Sequence, residues 1–343
     1  MRAVLVGTLS LGIFARPSFA QVNDSASSPS HDAEFAVFDA PNAINTYVSS
    51  INDRGQVAGG ADYSGTGPNQ SGFFRDENGN LTLFDAPGAT YTFPTGINIE
   101  GDVVGTMTDS ASQSHAFIRS FGGTLTVFDP PNGSSTTGRA INNAGTVIGD
   151  FSDTSLGIQR AFVRDFLGNF TFFAVPSADG TFPLSINNHG EIAGEISLNG
   201  WQGFVRDTKG DITLFSCPGS SLTFPTSIND KGEIVGYCSP LPPTSYKQYR
   251  AFIRDSKGEF RFIDVPGAFA VFAYSINQRG QISGTVQGLS DPGFSTDFQN
   301  DFSTFTVPNA GRTYGLSIND RGDIAGEFQQ VSGKFSGFVR TQH

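Results

Sequence analysis

The chain has 343 residues, a formal net charge of −11 and only 15% charged residues. A nucleic-acid or anionic-membrane partner needs a basic face, so this composition excludes both as principal partners. Abundant Gly (42) and Phe (33), with a single Trp, point instead to a turn-rich, all-β chain with an aromatic interior.

The N-terminus reads as an export leader. Arg2 supplies the charge, residues 3–14 the apolar stretch, and Ser18-Phe19-Ala20 a small-x-small cleavage site before Gln21. The apolar run is too short to span a bilayer, and no later stretch reaches membrane length. No Cys follows the cleavage site, which argues against a bacterial lipid anchor. Residues 21–33 are polar and aperiodic and read as a flexible tail. The expected product, cut near Ala20, is a secreted or periplasmic soluble protein, monomeric, with no membrane span.

Repeats begin at Glu34. The phrase Ile-Asn-x-x-Gly recurs at Ile51, Ile97, Ile141, Ile186, Ile228, Ile276 and Ile318. Three spacings never change: 8 residues from that Ile to a Gly, 14 from a later Phe to a Pro, and 10 from that Pro to the next Ile. Only the Gly-to-Phe interval varies, being 14, 12, 13, 10, 16, 10 and 12 residues. In the copy starting at Ser227, strand a covers 227–229, strand b 233–237, strand c 250–254 and strand d 259–265. Gly232 and Gly258 mark the a–b and c–d hairpins, where a positive φ is needed. The sixth c–d turn carries Asn300 in place of Gly.

Short antiparallel strands in fours, every 42–48 residues, match the period of a β-propeller blade. The last copy stops after strand c, and its missing strand d stands at the other end, where 34–41 matches 259–266. The reading is an all-β, seven-bladed β-propeller over 34–343, its ring closed by the N-terminal strand pairing with the C-terminal blade.

Strand c reads His115-Ala116-Phe117 once, then Arg160-Ala161-Phe162, Arg250-Ala251-Phe252, or Gly-Phe as at Gly203-Phe204. With the phrase Ile-Asn-x-x-Gly-x-Ile/Val-x-Gly, the chain resembles the bacterial extracellular HAF-repeat family over nearly all of 34–340. The resemblance implies an exported, propeller-like repeat protein. It brings no established activity and no catalytic residue.

Strand direction alternates within a blade. The variable b–c loops therefore share one face, X, with the d–a connections, and the fixed a–b and c–d hairpins share the other, Y. Variation confined to face X marks it as the binding face. Its loop aromatics are Tyr63, Trp201, Tyr246 and Tyr249. Such rings either stack on a glycan or grip a protein partner, or else pack over blade edges. A second set stands four residues before each Ile: Tyr47, Phe93, Phe182, Phe224, Phe272 and Tyr314, with Thr137 the exception. That regularity reads as blade-to-blade packing.

An Arg recurs two residues after the strand c Phe, at 75, 119, 164, 206, 254 and 340. Its stem is expected to pack beside that Phe, with Asp85, Asp129 or Asp264 as possible partners. The recurrent Asn is expected to bond to its own turn. Off-pattern acids follow the strand b Gly at Asp150, Glu195 and Glu327. They are the candidate catalytic residues: an acid–base pair for a glycosidic bond. Alternatively they join Asp109 and Asp153 around a cation, or are solvated edge charges. His31, His115, His189 and His343 form no metal-spaced cluster, so no metal or cofactor is expected. Cys217 and Cys238 are the only cysteines and are expected to pair in an exported chain. Function reads as a scaffold binding a glycan or extracellular protein through face X. The alternative is an extracellular glycan hydrolase or lyase on the same face.

Overall fold

A computed structural model describes residues 34–64, 69–198, 200–240, 249–288, 290–297 and 301–341. Its regular elements are all strands. β1 (Glu34–Phe38) precedes a series of antiparallel units. The first unit is β2 (Asn45–Ile51), β3 (Val57–Asp62), β4 (Gln70–Arg75) and β5 (Leu81–Phe84). Next come β6 (Ala89–Ile97), β7 (Val103–Asp109), β8 (Ser114–Arg119) and β9 (Leu125–Phe128). Then follow β10 (Gly133–Ile141), β11 (Val147–Asp153), β12 (Ile158–Arg164) and β13 (Phe170–Phe173). β14 (Gly180–Ile186), β15 (Ile192–Ser197), β16 (Trp201–Arg206) and β17 (Ile212–Phe215) repeat the pattern. So do β18 (Ser220–Ile228), β19 (Ile234–Pro240), β20 (Arg250–Arg254) and β21 (Phe260–Ile263). β22 (Ala270–Ile276), β23 (Ile282–Gln287), β24 (Gly293–Thr296) and β25 (Phe302–Phe305) come before the last set. The chain ends in β26 (Ala310–Ile318), β27 (Ile324–Gln330) and β28 (Phe335–Thr341). There β1 takes the fourth place, pairing antiparallel with β28 so that Val37 faces Phe338. The architecture is all-β and propeller-like.

Local chemistry explains each element. In the first Asn turn, Asn52 Oδ1 accepts from the backbone N–H groups of Arg54 and Gln56, both at 3.0 Å. Gly55 sits at φ 83°, which an L side chain resists. The strand b Gly has a different task. A Cβ on Gly59 would stand 2.6 Å from the Phe73 ring, which is 0% exposed. Equivalent rings at Phe117, Phe162, Phe204, Phe252, Phe294 and Phe338 are also 0% exposed, so each unit buries its Phe against a bare backbone. The core is thus a series of small clusters between successive units.

Three devices join units. The turn Asn donates Nδ2–H to the carbonyl of the next turn Asn, from Asn142 to Asn187 at 3.1 Å and from Asn319 to Asn52 at 3.0 Å. The recurrent Arg lies over a Phe of the preceding unit: Arg164 over Phe128 at 4.7 Å, Arg254 over Phe215 at 4.7 Å, and Arg75 over Phe38 of β1 at 5.1 Å. Cys217, just after β17, is bonded to Cys238 in β19, with Cα atoms 6.4 Å apart.

Two expectations are corrected here. The recurrent Arg does not pair with the strand d acids. Arg119 and Arg254 donate to the carbonyls of Ser120 and Asp255, while Asp129 and Asp264 bond to His115 and Arg250 at the start of strand c. Strand a is also longer than the three residues read from sequence. β18 begins at Ser220, directly after the Pro218 turn, so the d–a connection is mostly strand. A β-bulge two residues before each Ile breaks the alternation and hid that length.

Candidate functional site

The same bulge builds the site. It falls on Ser49, Thr95, Arg139, Leu184, Thr226, Tyr274 and Leu316, one in the first strand of each unit. The first strands pack one against the next around a central channel, lined at one end by the Ile of every unit from Ile51 to Ile318, and a bulge re-aims its side chain. Small bulge residues reach the next first strand: Ser49 Oγ donates to Pro94 O at 2.7 Å, and Thr226 Oγ1 to Ala273 O at 3.0 Å. Arg139 and Tyr274 instead occupy the channel. Arg139 lies deep among the strands, yet its side chain remains 34% exposed, so solvent enters the channel there.

The residue after the strand b Gly meets this row. It pairs in register with the aromatic set: Glu195 with Phe182, Tyr237 with Phe224, Glu327 with Tyr314, and Asp150 with Thr137. Asp150 is 2% exposed and holds Arg139 Nε at 2.7 Å and Gln159 Nε2 at 2.9 Å. Glu195 has no such partner. Burial pushes its carboxyl up to about 7; Arg139 opposes the shift and Asp150 adds to it. Glu327 is 8% exposed, and burial raises it to about 8 against a single weak bond from Val48 N–H at 3.4 Å. Burial, then nearby Tyr237, Tyr314 and Glu327, drives the Tyr274 phenol upward, and burial, then Glu195 and Tyr249, drives Tyr237 upward. A chain of ionisable groups therefore passes from unit to unit around the face X end of the channel.

Aromatic rings surround it. Trp201 lies between Phe182 at 5.7 Å and Phe224 at 6.3 Å. Phe224 meets Tyr237 at 5.2 Å, and Tyr237 meets Phe272 at 5.0 Å. Tyr249 adds contacts to Tyr237 at 5.5 Å and Phe272 at 5.2 Å. These rings are partly buried and keep an open side. Tyr249 also walls a cavity of about 230 Å³ with Ile263, Phe269 and Val271, the Arg250–Asp264 pair at its rim. The Y end of the channel differs. There a polar cavity of about 150 Å³ is ringed by turn residues such as Asn142, Asn188 and Asp320, whose amides and carboxylates hold neighbouring backbone.

Trp201 is the first residue of β16, not a loop residue, and Tyr249 joins it in the arc. Tyr63 stands apart, near Asp85 and hydrogen-bonded to Ser71. Tyr246 lies outside the described residues, as do Asn300, His31 and His343. Asp150 and Glu327 are buried and Glu195 is partly buried, so none of the three is a fully solvated edge charge. The cation arrangement with Asp109 and Asp153 does not form. Asp109 faces His115 at 3.6 Å and Asp153 is held by Arg160 at 2.8 Å. Among the described residues no three His, Cys, Asp or Glu side chains form a metal cluster. Sequence reasoning missed Arg139, Tyr237 and Tyr274. For Arg139 and Tyr274 a signal was available: the bulge position varies through Ser, Thr, Arg, Leu and Tyr, while the residue after it is Ser in five of the seven copies.

No family model and no curated protein matches the chain. Solved structures do. Selenomethionine-substituted virginiamycin B lyase from Staphylococcus aureus aligns with a TM-score of 0.61 at 14% identity, over 90% of this chain and 99% of that one. A catalytically inactive form of that lyase, with quinupristin, gives 0.60 at 14% identity, over 90% and 99%. The β-propeller domain of the Trilobed protease from Pyrococcus furiosus gives 0.62 at 11% identity, over 87% and 97%. At such identities the likeness is one of fold. No helix among the described residues is long and apolar enough to cross a membrane.

Proposed function

We propose that this chain is an exported, seven-bladed propeller of the HAF-repeat kind, its ring closed by β1 on β28, that binds a glycan through face X. One observation carries the binding reading: a continuous arc of half-open rings, from Phe182 through Trp201, Phe224 and Tyr237 to Phe272, borders a solvent-reached channel. Stacked rings offer flat apolar faces to sugar rings, and the channel polar groups fix orientation. The Asn links, the Arg–Phe stacks and the β1–β28 pairing support ring closure. The leader at residues 1–20 supports export. The protein cut after Ala20 is to be screened on a glycan array beside Trp201→Ala. Binding removed by that substitution supports the reading; silence from the parent overturns it and leaves a protein partner.

A second reading has its own observation. Glu195, raised to about 7 beside the Arg139–Asp150 pair, is poised to donate a proton near neutral pH. On this reading the protein hydrolyses or eliminates a glycosidic bond, with Glu195 as acid. Glu195→Gln and Asp150→Asn then abolish turnover and leave glycan binding in place. Turnover retained by Glu195→Gln removes this alternative.

A further inference from the structure

The repeat contains its own control experiment. In the β10–β13 unit, the acid after the strand b Gly meets a cation supplied by the bulge: Asp150 holds Arg139 at 2.7 Å. In the β14–β17 and β26–β28 units the same acid position carries Glu195 and Glu327, but the bulge carries Leu184 and Leu316. Glu195 is thus partly buried and shares Arg139 with Asp150 without a direct pair of its own, and Glu327 is buried with no cation acting on it. Glu195 makes no hydrogen bond within the described residues, and only one oxygen of the 8%-exposed Glu327 is met, by Val48 N–H. Carboxyls in such a position are held toward the protonated form, and a cation from outside the chain would favour their ionisation.

The surroundings define what that something is. Glu195 is faced by Arg139 and Asp150 from β10 and β11 and by Tyr237 from β19. Glu327 is faced by Tyr47 from β2, Tyr274 from β22 and Tyr314 from β26. Aromatic faces beside carboxylates recognise an alkylated or protonated amine, the rings through their quadrupole and the carboxylates through charge. An anionic ligand would meet these acids and a chain of net charge −11.

We propose that the face X channel binds a ligand through a cationic amine, seated between Glu195 and the rings of Tyr237 and Tyr274, with Glu327 as a second carboxyl beside Tyr274. The ligand thereby supplies the charge that Arg139 supplies to Asp150. The inference rests on the glycan reading only for the body of the ligand, which becomes an amino sugar. Before binding, burial holds Glu195 and Glu327 up to about 7 and about 8, so near neutral pH a share of each carboxyl stays protonated. An entering cation favours the ionised forms, and binding releases protons.

Three probes test this by titration calorimetry at about pH 5.5 and about pH 8. They are a trimethylated glucosamine oligomer of fixed charge, its N-acetylated counterpart of equal length, and tetramethylammonium. The expected result is a preference of about tenfold or more for the cationic oligomer at the higher pH, shrinking at the lower. Glu195→Gln should remove that preference, the cationic oligomer then binding no better than its N-acetylated counterpart. Leu184→Arg, which imports the internal pairing of Arg139 with Asp150, should do the same; circular dichroism confirms that each variant is folded. Equal affinity for both oligomers at both pH values overturns the amine site and leaves the glycan reading standing. Tetramethylammonium bound in a Glu195-dependent manner, with neither oligomer bound, upholds the amine site and overturns the glycan reading. Silence from all three overturns both.

Discussion

Glu327→Gln should make the protein more stable in alkali, and the size of the effect follows from the site. The carboxyl is 8% exposed, lies between β27 and β2, and is raised by burial from 4.5 to about 8. For an acid shifted upward, the folded state holds the proton over a range in which the unfolded chain has lost it. Unfolding then releases protons, so stability falls as pH rises, beginning near 4.5 and levelling off above about 8. Each unit in that window is worth about 1.4 kcal/mol, so the full span costs roughly 4–5 kcal/mol. Glutamine has similar shape, can accept from Val48 N–H and carries no charge to desolvate. Urea unfolding followed by Trp201 fluorescence, parent against variant, isolates this group, because all other titrations cancel in the difference. The two should agree within about 1 kcal/mol near pH 4.5 and diverge by about 4 kcal/mol near pH 8.5. Parallel pH profiles would refute the reasoning, since Glu327 would then be solvated or already paired.

Other substitutions probe the links between units. The residue after each turn Asn offers a side-chain acceptor to the preceding unit, as Asp53 Oδ1 does for Asp320 N–H at 2.7 Å and Asn143 Oδ1 for Ile99 N–H at 2.9 Å; Ile99 itself has none to offer Asp53. Ile99→Asn should complete that ring and add about 0.5–1.5 kcal/mol in chemical unfolding. Gly194→Ala would drive a methyl into the Phe182 carbonyl oxygen and to 2.7 Å from the Phe204 ring, and should cost about 3 kcal/mol or more, read as a lowered Tm. Replacing Cys217 and Cys238 together by Ser removes the cross-link over 21 residues and should cost about 3 kcal/mol, with the parent losing the same amount under reductant. For His115, burial lowers the pKa, but Asp129 at 2.7 Å and Asp109 at 3.6 Å outweigh it and the net shift is upward. Its stabilisation is therefore full below pH 6.5 and disappears as pH rises through the higher folded value. NMR titration of the ring, with His115→Gln as reference, reads this directly.

What the sequence disclosed and what it concealed have one cause. A fold made of repeats announces whatever every copy must do alike. Asn52 and Gly55 must shape a turn, Gly59 must admit the Phe73 ring, and the spacing between them must hold, so the all-β, propeller-like character was readable. A site inside a repeat is written in the opposite way, as a position where copies are released from agreement. The acids Asp150, Glu195 and Glu327 stood out for that reason. Their burial did not, because it depends on a bulge that no local propensity signals and that turns residues 139 and 274 toward the channel. The regular ring set misled for the same reason. Phe182 and Phe224 do pack between units, yet packing leaves one side of each free, and Trp201 settles between them. Regularity in one position and variation in its register partner are compatible: the rings make a common wall, and Glu195, Tyr237 and Glu327 vary what the wall encloses. Aligning the copies against one another, position by position through the bulge, therefore finds the channel residues that scanning for motifs along the chain passes over.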